Sequence, residues 1–106
     1  MASVNKAIIV GNLGRDPETR QTNNGTSVTA FSVATTDRWF DKNANEQKER
    51  TEWHRVIAWG KLGENVDRYL KKGSKVYVDG RIQTREWQDK DGNKRSTTEV
   101  IAQVVQ

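Results

Sequence analysis

The chain has 106 residues, of which 33% are hydrophobic and 30% charged, and its net charge of +4 favours a polyanionic partner over an acidic one. This length predicts one domain, residues 1–106, burying roughly two thirds of its unfolded surface around a thin core. The absence of cysteine excludes disulfides and thiolate metal sites. Neither a membrane-spanning apolar run nor the apolar segment of a signal peptide is present, so we expect a soluble, cytoplasmic protein.

Two strands are predicted near the start of the chain. Residues 4–13 form the first, with an apolar run at its centre and glycines near its end that are expected to bend it. A loop follows and ends in Asn23-Asn24-Gly25, a strong turn signal. Residues 26–36 are rich in Thr, Val and Phe and predict the second strand.

A charged segment separates the second strand from the third. Residues 37–50 are polar and predict a long exposed hairpin loop that holds Trp39 and Phe40. Residues 51–59 then predict the third strand.

The hydrophobic period changes after the third strand. Leu62, Val66, Tyr69 and Leu70 recur at i, i+4, i+7 and i+8, which predicts an amphipathic helix with all four side chains on its buried stripe. Gly73 stands where a C-terminal cap is expected.

Two further strands are predicted after the helix. They cover residues 75–87 and 96–105, with a charged hairpin between them that turns at Asp91-Gly92. The order of three strands, one helix and two strands predicts an all-β fold, a five-stranded oligonucleotide/oligosaccharide-binding (OB) barrel whose helix lies between strands 3 and 4 and covers one barrel end. The pattern alone leaves an SH3-like barrel or a half-open sandwich as alternatives.

Tryptophan and arginine share strand faces. Alternation places Trp53, Arg55 and Trp59 on one side of the third strand. On the fourth strand one side carries Tyr77, Arg81, Arg85 and Trp87, and the side expected to be buried carries Val76, Val78, Gly80, Ile82 and Thr84. Indole rings beside guanidinium groups suit a surface on which unpaired bases stack while cations hold the phosphates. Asp79 and Glu86 are expected to interrupt the positive charge of the fourth strand.

The sequence offers little for catalysis or for a metal. His54 is the one histidine, and it stands between Trp53 and Arg55 on a regular strand without a nucleophile motif. A metal site would need several carboxylates, and residues 60–63 lack the spacing of a phosphate-binding loop. We therefore expect a protein that is not an enzyme and that uses no cofactor and no metal.

Five blocks of sequence match a known family in order and spacing. They are Val10 to Glu18, Thr51 to Val56, Trp59 to Leu62, Tyr69 to Ser74 and Thr97 to Val100. On these blocks the chain resembles the bacterial single-stranded DNA-binding proteins. The resemblance implies an OB fold, a homotetramer built as a dimer of dimers, and a nucleoid-associated location. It also implies binding of single-stranded DNA without sequence specificity in replication, recombination and repair.

The resemblance also assigns roles to residues. The positions that match base-stacking aromatics are Trp39, Trp53, Trp87 and Trp59, the last standing where many members have phenylalanine. The basic positions expected along the DNA path are Lys6, Arg55, Lys61, Lys72 and Arg85. His54 matches a histidine at a subunit interface that supports the tetramer.

Three expectations concern partners and alternatives. Family members usually continue into a flexible tail whose acidic tip recruits replication and repair proteins, so such recruitment is expected only if a tail follows Gln106. One alternative is a dimeric primosomal accessory protein with an OB fold and weaker DNA binding. Another is an RNA-binding barrel of the cold-shock type, which is usually shorter and lacks this helix.

Overall fold

The computed structural model describes residues 2–106, so that Met1 of the predicted domain lies outside the described residues. Its elements are β1 (Ala7–Leu13), β2 (Glu18–Gln21), β3 (Ser27–Asp41), β4 (Glu46–Trp59), α1 (Gly60–Tyr69), β5 (Lys75–Gln88) and β6 (Lys94–Val105). The strands are hydrogen-bonded in the order β1-β5-β6-β4-β3-β2, and an additional β1–β3 pairing closes five of them into a barrel. The predicted OB fold, with its helix between the third and fourth barrel strands, is confirmed.

The two long hairpins are mostly strand rather than loop. β3 and β4 stay paired out to Asp41 opposite Glu46, so strand covers most of the loop predicted at residues 37–50. The sequence pattern missed this because no apolar alternation continues there. Cross-strand polar pairs such as Arg38 with Glu49 stabilise the ribbon instead. The hairpins project from the barrel and give the molecule a longest dimension of 56 Å.

One strand was not predicted. β2 lies in the segment expected to be a loop, and it pairs antiparallel with β3 outside the closed barrel. All four of its residues are exposed, so its sequence carries no alternation of apolar and polar residues that would have revealed a strand.

The barrel interior is filled by alternate residues of the closing strands. The buried cluster consists of Ile9, Leu13, Phe31, Val33, Val56, Ala58, Val66, Val76, Val78, Val100 and Ala102. Val66 comes from α1, and Leu62 and Leu70 pack beside it, so the helix covers a barrel end as expected. Each fully buried valine or leucine contributes about 1.5–3 kcal/mol relative to an exposed one.

The helix differs from its prediction at its C-terminal end. Tyr69 is 71% exposed, because it lies at the open side of a groove between α1 and the end of β6. The helix ends at Tyr69 with Leu70 extended, and Gly73 belongs to the turn that follows rather than to the helix cap. Across residues 2–106, no helix has the length and apolar character needed to cross a membrane.

The predicted inner face of β5 is buried over only half of its length. Val76, Val78 and Gly80 are buried, as alternation requires. Ile82 is 47% exposed and Thr84 is also exposed, because β5 leaves the barrel there and continues into the projecting hairpin with β6.

Each projecting hairpin is closed by an aspartate. Asp41 Oδ1 accepts the backbone N–H groups of Asn43 and Ala44 at 2.9 and 3.2 Å, while Lys48 Nζ lies 2.9 Å from Oδ2. The hydrogen bond from Lys48, followed by the backbone bonds, lowers the pKa of Asp41.

Asp89 repeats this arrangement in the second hairpin. Its Oδ1 accepts the backbone N–H groups of Asp91 and Asn93, both at 2.9 Å, and Arg95 Nε lies 3.1 Å from Oδ2. The backbone bond from Asn93 is the main cause of a lowered pKa, and Arg95 adds to it. In both turns the ionised carboxylate holds the loop.

We expect acid to loosen both turns. Because the pKa of each aspartate is lower in the folded hairpin, its stabilisation is complete above the unfolded pKa of about 3.9 and is lost as pH falls through the folded value. Hydrogen-exchange protection factors for residues 43–45 and 91–93, measured against pH, check this. Asp89→Asn should remove the pH dependence from the second turn alone, and unchanged protection down to about pH 2 would contradict the prediction.

Candidate nucleic-acid interface

The outer face of β4 carries the predicted aromatic and basic side chains. Trp53 and Trp59 are 60% and 48% exposed, although Val56 and Ala58 between them are buried in the core. Arg55 lies on the same outer face, since side chains alternate along the strand. The prediction that two indole rings and a guanidinium group share one side of this strand is confirmed.

A groove of about 470 Å³ crosses the outer face where β4 meets β6. Ile57 and Ile101, paired across these strands, supply an apolar part of its lining. Trp59, Arg55 and Arg85 line the same groove, so the fold brings together three predicted site residues from two different hairpins. An apolar patch beside two cations can accept a planar ring that carries a phosphate.

Glu99 connects the two arginines of this groove. Its carboxylate is 4% exposed and accepts Arg55 Nε at 2.9 Å and Arg85 Nε at 3.2 Å. The paired cations stabilise this buried charge, whereas removal of either arginine would leave it partly unpaired. Both bonds use Nε, which leaves the terminal nitrogens of the two half-exposed guanidinium groups for other partners.

Trp53 lies against the loop between β1 and β2. A Cβ on Gly14 would collide with the six-membered part of its indole, so glycine makes room for the ring. In the same loop Asp16 accepts the backbone N–H of Lys72 at 2.8 Å, which holds the exposed Lys72 close to this loop. Arg15 and Arg55 line a smaller groove there.

Trp87 lies on the projecting part of β5, on the same face as Arg85 and Glu99. Its Nε1 donates to Thr97 Oγ1 at 2.9 Å, which fixes the ring while 43% of the residue stays exposed. Glu86 points to the opposite face of β5, so the expectation that it interrupts this positive surface was wrong. The carboxylate between the arginines is Glu99.

Residues 4–106 match the model of the Single-strand binding protein family. The chain belongs to this family. Single-stranded DNA-binding protein 1 of Xylella fastidiosa (strain 9a5c) is 52% identical over 106 residues, which are 100% of this chain and 78% of that protein. A solved structure described as Plasmodium falciparum SSB complex with ssDNA has a TM-score of 0.86 and 35% identity, covering 100% of this chain and 94% of that one. The resemblance seen in the sequence is therefore confirmed.

Two predicted lysines of this single-strand binding family member lie apart from the groove. Lys61 is exposed in the first turn of α1, two residues after Trp59. Lys6 is placed beside β5, where its Nζ lies 3.3 Å from Asp79 Oδ2. Asp79 is thus engaged with Lys6, and neither residue lines the groove beside Trp59.

Trp39 lies on the other face of the β3–β4 ribbon from Trp53. Trp53 is opposite Ala34, and Trp39 lies five positions after Ala34 on the same strand, so the side chains of Trp39 and Trp53 point to opposite faces. Trp39 is 45% exposed. The structure does not place it on the surface shared by Trp53 and Trp59.

His54 faces away from the tryptophans of β4. Its Nε2 lies 2.9 Å from Thr35 Oγ1, and it lines a second groove of about 470 Å³ together with Ile8, Ile82 and Val100. Trp53, Arg55 and Glu99 also line this groove, and the interface role of His54 stays a prediction. Among residues 2–106, no cluster of three or more His, Asp and Glu side chains is placed to hold a metal ion.

Three residues at the interface were not identified from the sequence. Glu99 belongs to a matched block, but its partners lie on other strands and nothing local indicates them. Arg15 and Arg20 reach the grooves only because β2 pairs with β3 at the edge of the sheet and the β1–β2 loop leads to it. Neither arginine follows a periodic pattern that would have identified it.

We predict that Gly14→Ala displaces the Trp53 ring. The new Cβ would collide with the indole, so the Trp53 indole N–H resonance should shift and the thermal midpoint should fall. In a Trp53→Ala background the same change should have almost no effect on stability, giving a coupling energy of about 0.5–3 kcal/mol. Equal destabilisation in both backgrounds would show that the two residues do not interact.

Proposed function

We propose that the protein binds single-stranded DNA without sequence specificity, by stacking bases on exposed tryptophans and holding phosphates with arginine and lysine. The observation that carries this proposal is the exposed face on which Trp53 and Trp59 accompany Arg55 beside the groove. Every base has an aromatic face, so stacking tolerates any sequence. The names of the similar protein and structure, which refer to single-stranded DNA, support the same conclusion.

The proposed path joins the two hairpins through the groove. Bases stack on Trp59 and Trp53 along β4 and on Trp87 along β5, and Arg55 and Arg85 lie between these rings. Glu99 lowers the positive charge of the groove, but it holds both guanidinium groups in place before DNA arrives. Preorganised cations lose less conformational entropy on binding. Duplex DNA binds poorly in this scheme because its bases are already stacked on one another.

The cellular role follows from this activity. A protein that covers unpaired strands protects and organises them in replication, recombination and repair. We propose that it does so in the cytoplasm on nucleoid DNA, without catalysis and without a cofactor. Recruitment of replication and repair proteins would require an acidic tail beyond Gln106.

We also propose that the chain works as a homotetramer, a dimer of dimers. Ile8, Val10 and Val104 are 57%, 51% and 41% exposed, and they share the outer face formed by β1, β5 and β6. Clustered apolar side chains of this kind usually mark an interaction surface. Ile8 also lines the groove beside His54, whose other side is lined by Trp53 and Arg55 of the proposed DNA path. Association also multiplies the DNA contacts of each assembly.

Replacing the stacking residues tests DNA binding. We expect Trp53→Ala and Trp59→Ala each to weaken binding to oligo(dT) by about 1–3 kcal/mol, measured by fluorescence anisotropy of labelled oligonucleotide. The logarithm of affinity should fall with the logarithm of salt concentration at a slope near −0.7 for each phosphate neutralised. Tyr69→Ala is the matched control, since Tyr69 is an exposed aromatic residue on the helix, away from the groove. Unchanged affinity in both tryptophan variants would reject stacking.

Solution mass tests the assembly. Light scattering should give a mass four times that of the chain, and Ile8→Glu should reduce it, because a charge would be buried in the contact. Tyr69→Glu should leave the mass unchanged. A monomer would reject the tetramer, whereas a dimer with weak DNA affinity would favour the primosomal accessory role.

A further inference from the structure

The projecting part of the β3–β4 ribbon has two different faces. The strands pair without a bulge from Val28 opposite Trp59 to Asp41 opposite Glu46, so alternation assigns every residue of the ribbon to one face. The face that carries Trp53 and Trp59 therefore continues without a break to the hairpin end. There it displays Phe40, which is 52% exposed and lies opposite Gln47.

The aromatic residues of this face are evenly spaced. Phe40 lies beside position 47 of β4, and Trp53 and Trp59 follow at intervals of six residues. At a rise of about 3.3 Å per residue, each interval is about 20 Å. The whole row spans about 40 Å, which corresponds to about 12 nucleotides at a stacked rise of about 3.4 Å. This lies within the range of about 4–16 nucleotides per OB fold.

The two faces also differ in charge. The face opposite Trp53 carries four carboxylates against two cations between residues 35 and 52, namely Asp37, Asp41, Glu46 and Glu52 against Lys48 and Arg50. On the Trp53 face the corresponding stretch carries Arg38 paired with Glu49 at 3.1 Å and a hydroxyl pair, Thr36 with Thr51, at 3.0 Å. A polyanion is repelled less by this neutral face than by the acidic one.

We propose that Phe40 is a further base-stacking residue, and that the bound strand continues from Trp59 past Trp53 along this face to the hairpin end. This inference rests on the proposed function. Phe40 lies outside the buried core, so its ring is free to receive a base. Asp41 next to it holds the turn through two backbone hydrogen bonds, so the ring is presented on an ordered ribbon.

Oligonucleotide length provides the test. Phe40→Ala should weaken binding of oligo(dT) of about 15 nucleotides by about 5-fold or more, because one stacked base is lost. Oligo(dT) of about 5 nucleotides, too short to span the row, should bind the variant and the parent equally. Phe40→Trp should retain the parent affinity, and Tyr69→Ala should leave the affinity for both oligonucleotides unchanged. The full chain is used throughout, and thermal melting checks that each variant is folded.

A crosslink locates the contact directly. Oligo(dT) with 5-iodouracil substituted throughout should, on irradiation, crosslink to Phe40, identified by fragmenting the peptide of residues 39–42 in the mass spectrometer. Two results would overturn the inference while leaving the proposed function intact, provided that the parent protein binds the long oligonucleotide. In the first, Phe40→Ala binds this oligonucleotide as tightly as the parent does. In the second, the parent crosslinks at Trp39 and not at Phe40. Failure of the parent to bind either oligonucleotide would overturn both.

Discussion

The junction between the two long hairpins is the contact on which the interface depends. β4 and β6 pair in parallel at Val56 beside Val100 and at Ile57 beside Ile101. Val56 and Val100 belong to the barrel core, while Ile57 and Ile101 line the outer groove. Beside this junction, Glu99 of β6 binds Arg55 of β4 and Arg85 of β5. A short parallel pairing is thus reinforced by a buried carboxylate, and the same carboxylate positions both guanidinium groups.

β4 contributes to the core with one face and to the candidate interface with the other. Its inward residues, Val56 and Ala58, fill the barrel, and burial of such side chains is the main source of stability. Its outward residues, Trp53 and Trp59, remain about half exposed on a backbone that this core holds rigid. Rings on a packed strand keep a fixed spacing, which a flexible loop would not provide. The cost is exposed aromatic surface, which a stacked base would cover.

Sequence patterns predicted correctly wherever burial imposed a period. Alternation placed Trp53 and Trp59 on one face of β4, and the spacing of Leu62 and Val66 located the helix. The same reasoning was wrong at the end of the helix and where β5 leaves the barrel. Tyr69 fits the helical stripe but lies at the open side of a groove, and Ile82 follows the alternation but lies beyond the barrel. A period shows which residues share a face, but not how far the neighbouring element extends to cover it.

The sequence by itself determined the order of the barrel strands, the helix between the third and fourth of them and the strand face that carries the tryptophans, because each depends on local alternation or spacing along the chain. Closure into a barrel depends on the pairing of β1 with β3, which no local pattern records. The tertiary structure alone decided how the site is assembled. Glu99 binds Arg55, which is 44 residues away in sequence, and Arg85, which is 14 residues away. Gly14, in the loop between β1 and β2, makes room for the ring of Trp53 on β4. Such contacts arise when separate strands are brought into register, and no local pattern records which residue will lie opposite which.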